Sequence, residues 1–145
     1  MCAAPAPCQI VLAEDNPADV GLVLEAFREH QVHCNLRVLS DGQEVLAFID
    51  DLDANNYLPC PDLLLLDLSL PKHDGREILS YLRASERCGR TPVVVISSSD
   101  WIEDRRAAEK HAAVHYFRKP SSLDQFLELG TIVKHVIGGP KWNTS

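Results

Sequence analysis

Pro61-Asp62-Leu63-Leu64-Leu65-Leu66-Asp67-Leu68-Ser69-Leu70-Pro71 is the stretch whose reading decides the fold. Four consecutive leucines end on a carboxylate, and a proline follows four residues later. An apolar run this short, bounded by proline and polar residues, predicts a strand buried on both faces of a parallel sheet rather than a helix. Asp67 then stands at the carboxyl end of a central strand, where open α/β sheets gather their ligand sites.

Working outward, the same rhythm recurs. Residues 9–13 are apolar and end on Glu14-Asp15. Asn16 is a good N-cap and Pro17 suits a first helical position, so a helix follows to about His30. Residues 36–39 mix apolar and polar side chains, and Ser40-Asp41-Gly42 opens a second helix. Residues 50–61 read as a ragged helix end plus an exposed loop. Beyond Asp67, a helix from Gly75 buries Ile78, Leu79 and Leu82. Residues 93–96 form a third apolar strand ending on Ser97-Ser98-Ser99. Asp100 and Glu103 predict a capping box for a polar helix over 101–110. Residues 114–117 are a mixed strand ending on Arg118-Lys119-Pro120, and Ser122 with Gln125 caps one last helix through Ile137.

Five strands alternating with five helices predict an α/β fold, a doubly wound five-stranded parallel sheet. Only central strands are covered on both faces, so the two mixed strands belong at the edges. The order 2-1-3-4-5 satisfies this and opens a crevice between strands one and three.

At 145 residues and 46% hydrophobic, the chain suits one domain with a real core. A net charge of −7 argues against nucleic-acid binding, which needs clustered Lys and Arg. No apolar run approaches the roughly 20 residues that span a bilayer, and the start has no signal-peptide character. The five cysteines show no CxxC or metal-ligand spacing, so reduced thiols in a cytoplasmic protein are expected.

With that strand order, several polar groups converge on one rim. Glu14 and Asp15 leave strand one, Asp67 leaves strand three, Ser97 strand four and Lys119 strand five. Crowded carboxylates raise one another's pKa unless a cation neutralises them, and hard oxygen ligands in a partial cage suit Mg²⁺. Lys119 adds a compact positive charge opposite phosphoryl oxygens, and Ser97 a hydroxyl. These groups support covalent capture of a phosphoryl group on a carboxylate, with Asp67 as nucleophile.

In these pieces the chain resembles the response-regulator receiver domain of two-component signalling. The resemblance rests on Glu14-Asp15, Asp67-Leu68-Ser69-Leu70-Pro71 with Gly75, Ser97, and Tyr116-Phe117-Arg118-Lys119-Pro120, and covers residues 8–138. It implies that Asp67 takes a phosphoryl group from a sensor histidine kinase or a histidine phosphotransfer protein. It implies Mg²⁺ on Asp15, Asp67 and the Ser69 backbone carbonyl, with Glu14 acting through a metal-bound water. It further implies a switch pair of Ser97 and Tyr116, a cis Lys119–Pro120 peptide, and no enzymatic turnover beyond self-phosphorylation and slow autodephosphorylation. The run Glu14-Asp15-Asn16-Pro17-Ala18-Asp19, the long 50–61 connection and Trp142 resemble the stand-alone receivers that partner bacteriophytochromes.

The expected layout is a disordered lead-in over 1–8, a receiver domain over 9–138, and a tail over 139–145 with no output domain. The last helix carries more apolar residues than one core stripe needs (Leu129 with Ile132, Val136 and Ile137). A homodimer through that helix and the tail is therefore expected, with no nucleic-acid or membrane partner. The rivals are a Mg²⁺-dependent aspartyl-phosphate phosphohydrolase and a binding adaptor that is never phosphorylated. Haloacid-dehalogenase-like enzymes carry a second Asp two residues after the nucleophile, where this chain has Ser69. A flavin carrier of similar topology is excluded by Glu14-Asp15, which would repel its phosphate.

Overall fold

The computed structural model describes residues 8–138. Its elements run β1 (Cys8–Ala13), α1 (Pro17–Glu29), β2 (Cys34–Leu39), α2 (Gly42–Ala54), β3 (Leu63–Asp67) and α3 (Gly75–Arg83). They continue as β4 (Val93–Ser97), α4 (Ile102–Lys110), β5 (His115–Arg118), α5 (Leu123–Leu127) and α6 (Leu129–Ile137). All strand pairs are parallel and the sheet order is β2-β1-β3-β4-β5, as the apolar pattern predicts.

The leucine run shows why. Leu63 and Leu65 pack into the layer beneath α1, α5 and α6, with Val23, Phe27, Phe126, Leu129 and Val133. Leu64 and Leu66 pack into the opposite layer, with Val45, Ile49, Ile78, Leu79 and Leu82 of α2 and α3. Each buried leucine contributes about 1.5–3 kcal/mol relative to exposure, and only a strand with cover on both sides gains this at every position. Strands β3 and β4 are buried throughout, whereas β2 and β5 alternate.

Several local expectations are corrected. Strand β1 starts at Cys8, which the expected lead-in included; Cys8 is the register partner of Cys34 at the start of β2. The lead-in over 1–7 and the tail over 139–145, with Trp142, lie outside the described residues. The last helix is two helices meeting at Glu128, where the backbone tightens: Glu128 N–H donates to Gln125 O and Thr131 N–H to Glu128 O. Leu129, counted as surplus apolar surface, is fully buried. Helix α4 has Trp101 at its N-cap and no side-chain cap. The Asp100 carboxylate that was to cap it is taken by Arg105 at 2.5 Å. The Lys119–Pro120 peptide is trans, the form X–Pro bonds prefer by about 0.5–1 kcal/mol.

The cysteines depart most from expectation. Cys8 bonds to Cys34, and Cys60 to Cys88, as disulfides. Parallel pairing of β1 with β2 brings the first pair to a Cα separation of 4.5 Å. The second pair joins the entry to β3 with the segment before β4 at 5.5 Å. Arg87 secures the same corner: its guanidinium donates to the carbonyls of Leu52, Asn55 and Leu58, so the polar 50–61 connection is pinned rather than loose.

Candidate functional site

The parallel registers carry the polar residues to one rim. Ala13 is the register partner of Leu66, so Glu14 and Asp67 leave the sheet side by side. Asp67 is the partner of Ile96, which brings Ser97 just beyond it. Ser97 is the partner of Arg118, and Lys119 follows, its N–H donating to Ser97 O at 2.7 Å. The loop after Asp67 is held close to α3: a Cβ on Gly75 would stand 2.6 Å from Leu68 Cα, so only glycine fits there.

Asp67 is 3% exposed. Its Oδ1 accepts the Ser69 N–H at 2.8 Å, and its Oδ2 accepts from Lys119 Nζ at 3.0 Å. Glu14 is equally buried, with Oε1 2.8 Å from Lys119 Nζ and Oε2 accepting the Asn16 N–H at 3.2 Å. Asp15 is exposed at the mouth. One carboxylate oxygen from each of Glu14, Asp15 and Asp67 falls within 4.8 Å of the others.

Burial pushes the Glu14 carboxyl up; its bond to Lys119 opposes this, and the Asp67 carboxylate beside it adds to the rise, which reaches about 7. For Lys119, burial works against the charge. The hydrogen bonds to Asp19 and Glu14 and the charge of Asp67 outweigh it and hold the ammonium well above the ordinary lysine range. Three oxygens crowded so closely, one of them on a carboxyl raised toward neutrality, suit a hard divalent cation that a single lysine only partly replaces.

Ser97 is fully buried, and its Oγ accepts the Ser99 N–H at 3.0 Å. Tyr116 is half-buried: its hydroxyl donates to Ser99 O at 2.8 Å, and the Arg105 guanidinium lies 4.4 Å from its ring centroid. The structure therefore brings Glu14, Asp15, Asp67, Ser97 and Lys119 together, with Tyr116 on β5 one hydrogen bond away from the serine loop. Sequence reasoning missed Asp19, whose Oδ2 lies 2.7 Å from Lys119 Nζ. Asp19 occupies the third position of α1, where an acidic residue ordinarily signals only a helix cap.

A doubly wound sheet with this acidic rim and a lysine across from it defines a class, and sequence comparison gives the same one. The chain belongs to the response regulator receiver domain family, whose profile matches residues 10–130. It is similar to the response regulator Rcp1 of Synechocystis sp., with 34% identity over 123 residues, covering 85% of this chain and 84% of Rcp1. Among solved structures it resembles the phosphorylated cyanobacterial phytochrome response regulator RcpA, with 33% identity and a TM-score of 0.78, covering 89% of this chain and 92% of RcpA. The Mn²⁺-bound form of Rcp1 matches at 31% identity and a TM-score of 0.78, over 96% of this chain and 97% of that one. Among the described residues, no helix is long and apolar enough to cross a membrane.

Proposed function

We propose that this response regulator accepts a phosphoryl group on Asp67 from a phosphohistidine, carried by a sensor histidine kinase or a histidine phosphotransfer protein. The observation that carries this reading is the Asp67 carboxylate itself. It is buried at the end of the central strand, bonded to Lys119 and the Ser69 N–H, and faced by Glu14 and Asp15. In the transfer, an Asp67 oxygen attacks phosphorus, the P–N bond breaks, and its electron pair returns to the imidazole, which takes a proton from solvent. Lys119 supplies a fixed cation beside the acceptor. Ser97 Oγ accepts from Ser99 N–H, which leaves its own proton to donate to a phosphoryl oxygen.

Glu14, Asp15 and Asp67, with the Ser69 carbonyl, would hold Mg²⁺, which when bound neutralises charge on the phosphoryl oxygens. The likeness to RcpA, a cyanobacterial phytochrome response regulator, supports a phytochrome-type kinase as donor. Ser69 stands where a hydrolase of this chemistry carries its second acid, which supports transfer and slow self-hydrolysis over turnover of small substrates. The reading places the protein in the cytoplasm, with residues 9–138 as the receiver. Phosphorylation shifts Ser97 and Tyr116 as a switch pair, altering the surface of α4, β5, α5 and α6.

Output through a homodimer is part of the same reading. On α6, Ile132 and Val136 stay only partly buried and line a groove with Val114 and Pro92. Sedimentation with and without phosphorylation tests it, and a monomer at tens of micromolar in both states removes the dimer. For the acceptor, intact mass after incubation with acetyl phosphate and Mg²⁺ is decisive. Wild type gains one phosphoryl group, and Asp67→Asn or excess EDTA gives none. Equal labelling of wild type and Asp67→Asn removes Asp67 from its role.

A further inference from the structure

Lys119 Nζ has three N–H donors, and three carboxylates meet it: Glu14 at 2.8 Å, Asp19 at 2.7 Å and Asp67 at 3.0 Å. Two of these belong to the converging acidic triad; Asp19 does not. It comes from the first turn of α1 instead of a strand end.

Its local position explains why it is available. An acid three residues into a helix ordinarily reaches back to the N-cap backbone N–H. Here the Asn16 N–H donates to Glu14 Oε2, and the Asn16 side chain caps the helix at the Ala18 N–H, 2.9 Å away. Asp19 has no capping duty, and its carboxylate turns to Lys119. The Asp19 side chain is 20% exposed and that of Lys119 13%, so this charge-assisted bond is shielded from much of the screening that weakens surface pairs.

Resting on the proposed function above, we infer that Asp19 is a positioning residue that keeps Lys119 Nζ over the acceptor while the other two anchors change partners. Asp67 loses a free oxygen and its full charge when it becomes an acyl phosphate. Glu14 and Asp67 also supply the oxygens that a divalent cation would claim. Asp19 alone keeps its charge and its bond to Lys119 throughout. Without it, a flexible four-carbon stem holds the ammonium, and the cation is spread over several rotamers when the phosphoryl group arrives.

The test compares wild type, Asp19→Asn and Asp19→Ala in the full chain. One arm measures phosphorylation rate against acetyl phosphate concentration at fixed Mg²⁺. The other follows the Lys119 ammonium resonance by lysine ¹⁵N NMR in the metal-free protein. Asp19→Ala lowers the maximal rate about tenfold, within the range that misplacement of a catalytic group costs, and leaves the half-saturating donor concentration unchanged. Asp19→Asn has the shape of aspartate and keeps an acceptor oxygen, so it folds alike and shows a smaller loss. The ammonium signal is sharp in wild type and broadened by exchange in Asp19→Ala. An unchanged maximal rate, a change confined to the half-saturating concentration, or an unchanged ammonium signal overturns the inference. Failure of wild type to take a phosphoryl group sinks the proposed function instead, and the ammonium signal then decides on Asp19 alone.

Discussion

At Glu14 the surroundings work in opposite directions: burial favours the proton, the ammonium of Lys119 favours the charge, and Asp67 favours the proton again. The outcome is a carboxyl near 7, above its ordinary 4.5. A folded-state value above the unfolded one means that the contribution to stability is fully present below about 4.5 and is lost as pH rises through about 7. The metal-free protein should therefore lose stability over that window, and Glu14→Gln should flatten the loss in denaturant titrations across pH. Because this proton must leave before a cation binds, Mg²⁺ affinity by calorimetry should be about tenfold tighter at pH 8 than at pH 6. A flat affinity profile would dissociate Glu14 from the metal. Glu14, Asp67, Ser97 and Lys119 were legible because each ends a strand whose length the apolar pattern gives. Asp19 was not, because its partner lies 100 residues away and its local context suggests a cap.

Helix α4 begins without a side-chain cap, at an N-cap residue, Trp101, that is 71% exposed. Placing a hydroxyl there should satisfy one of the free N–H groups of the first turn. Trp101→Ser is accordingly expected to raise stability by about 0.5–1 kcal/mol, read from the urea midpoint. A lowered midpoint would mean that the indole packs more usefully than its exposure indicates. The strands and their order could be derived from sequence because two-sided burial leaves an unmistakable run of leucines or valines. Helix ends were harder to read. Asp100 and Glu103 have the spacing of a capping box, yet Arg105 and Arg118 draw the Asp100 carboxylate away. The pinning of the 50–61 connection was equally hidden, since the carbonyls that hold Arg87 belong to the backbone and leave no mark on composition.

Across the whole molecule, two disulfides tie down the amino-terminal edge of the sheet, one between β1 and β2 and one ahead of β3 and β4. Wide spacing in sequence gave no hint of this, because pairing depends on strand register that only the folded sheet supplies. Denatured, unreduced protein should take up one equivalent of alkylating reagent, since four of its five cysteines are bonded. After reduction it should take up five. Reduction should also lower stability by about 3.5 kcal/mol for each closed loop, the two spanning 26 and 28 residues. Five labels without reduction would show that the thiols are free. The rim beyond the opposite edge of the sheet has a different dependence on the chain: Asp67 and the lysine that serves it are 52 residues apart. At a synthesis rate of 5–20 residues per second, roughly 3–10 s separate the emergence of Asp67 from that of its counter-charge. On the proposed function, an unfinished polypeptide exposes Asp67 without the means to use it, and competence to receive a signal is itself a certificate that folding has reached β5.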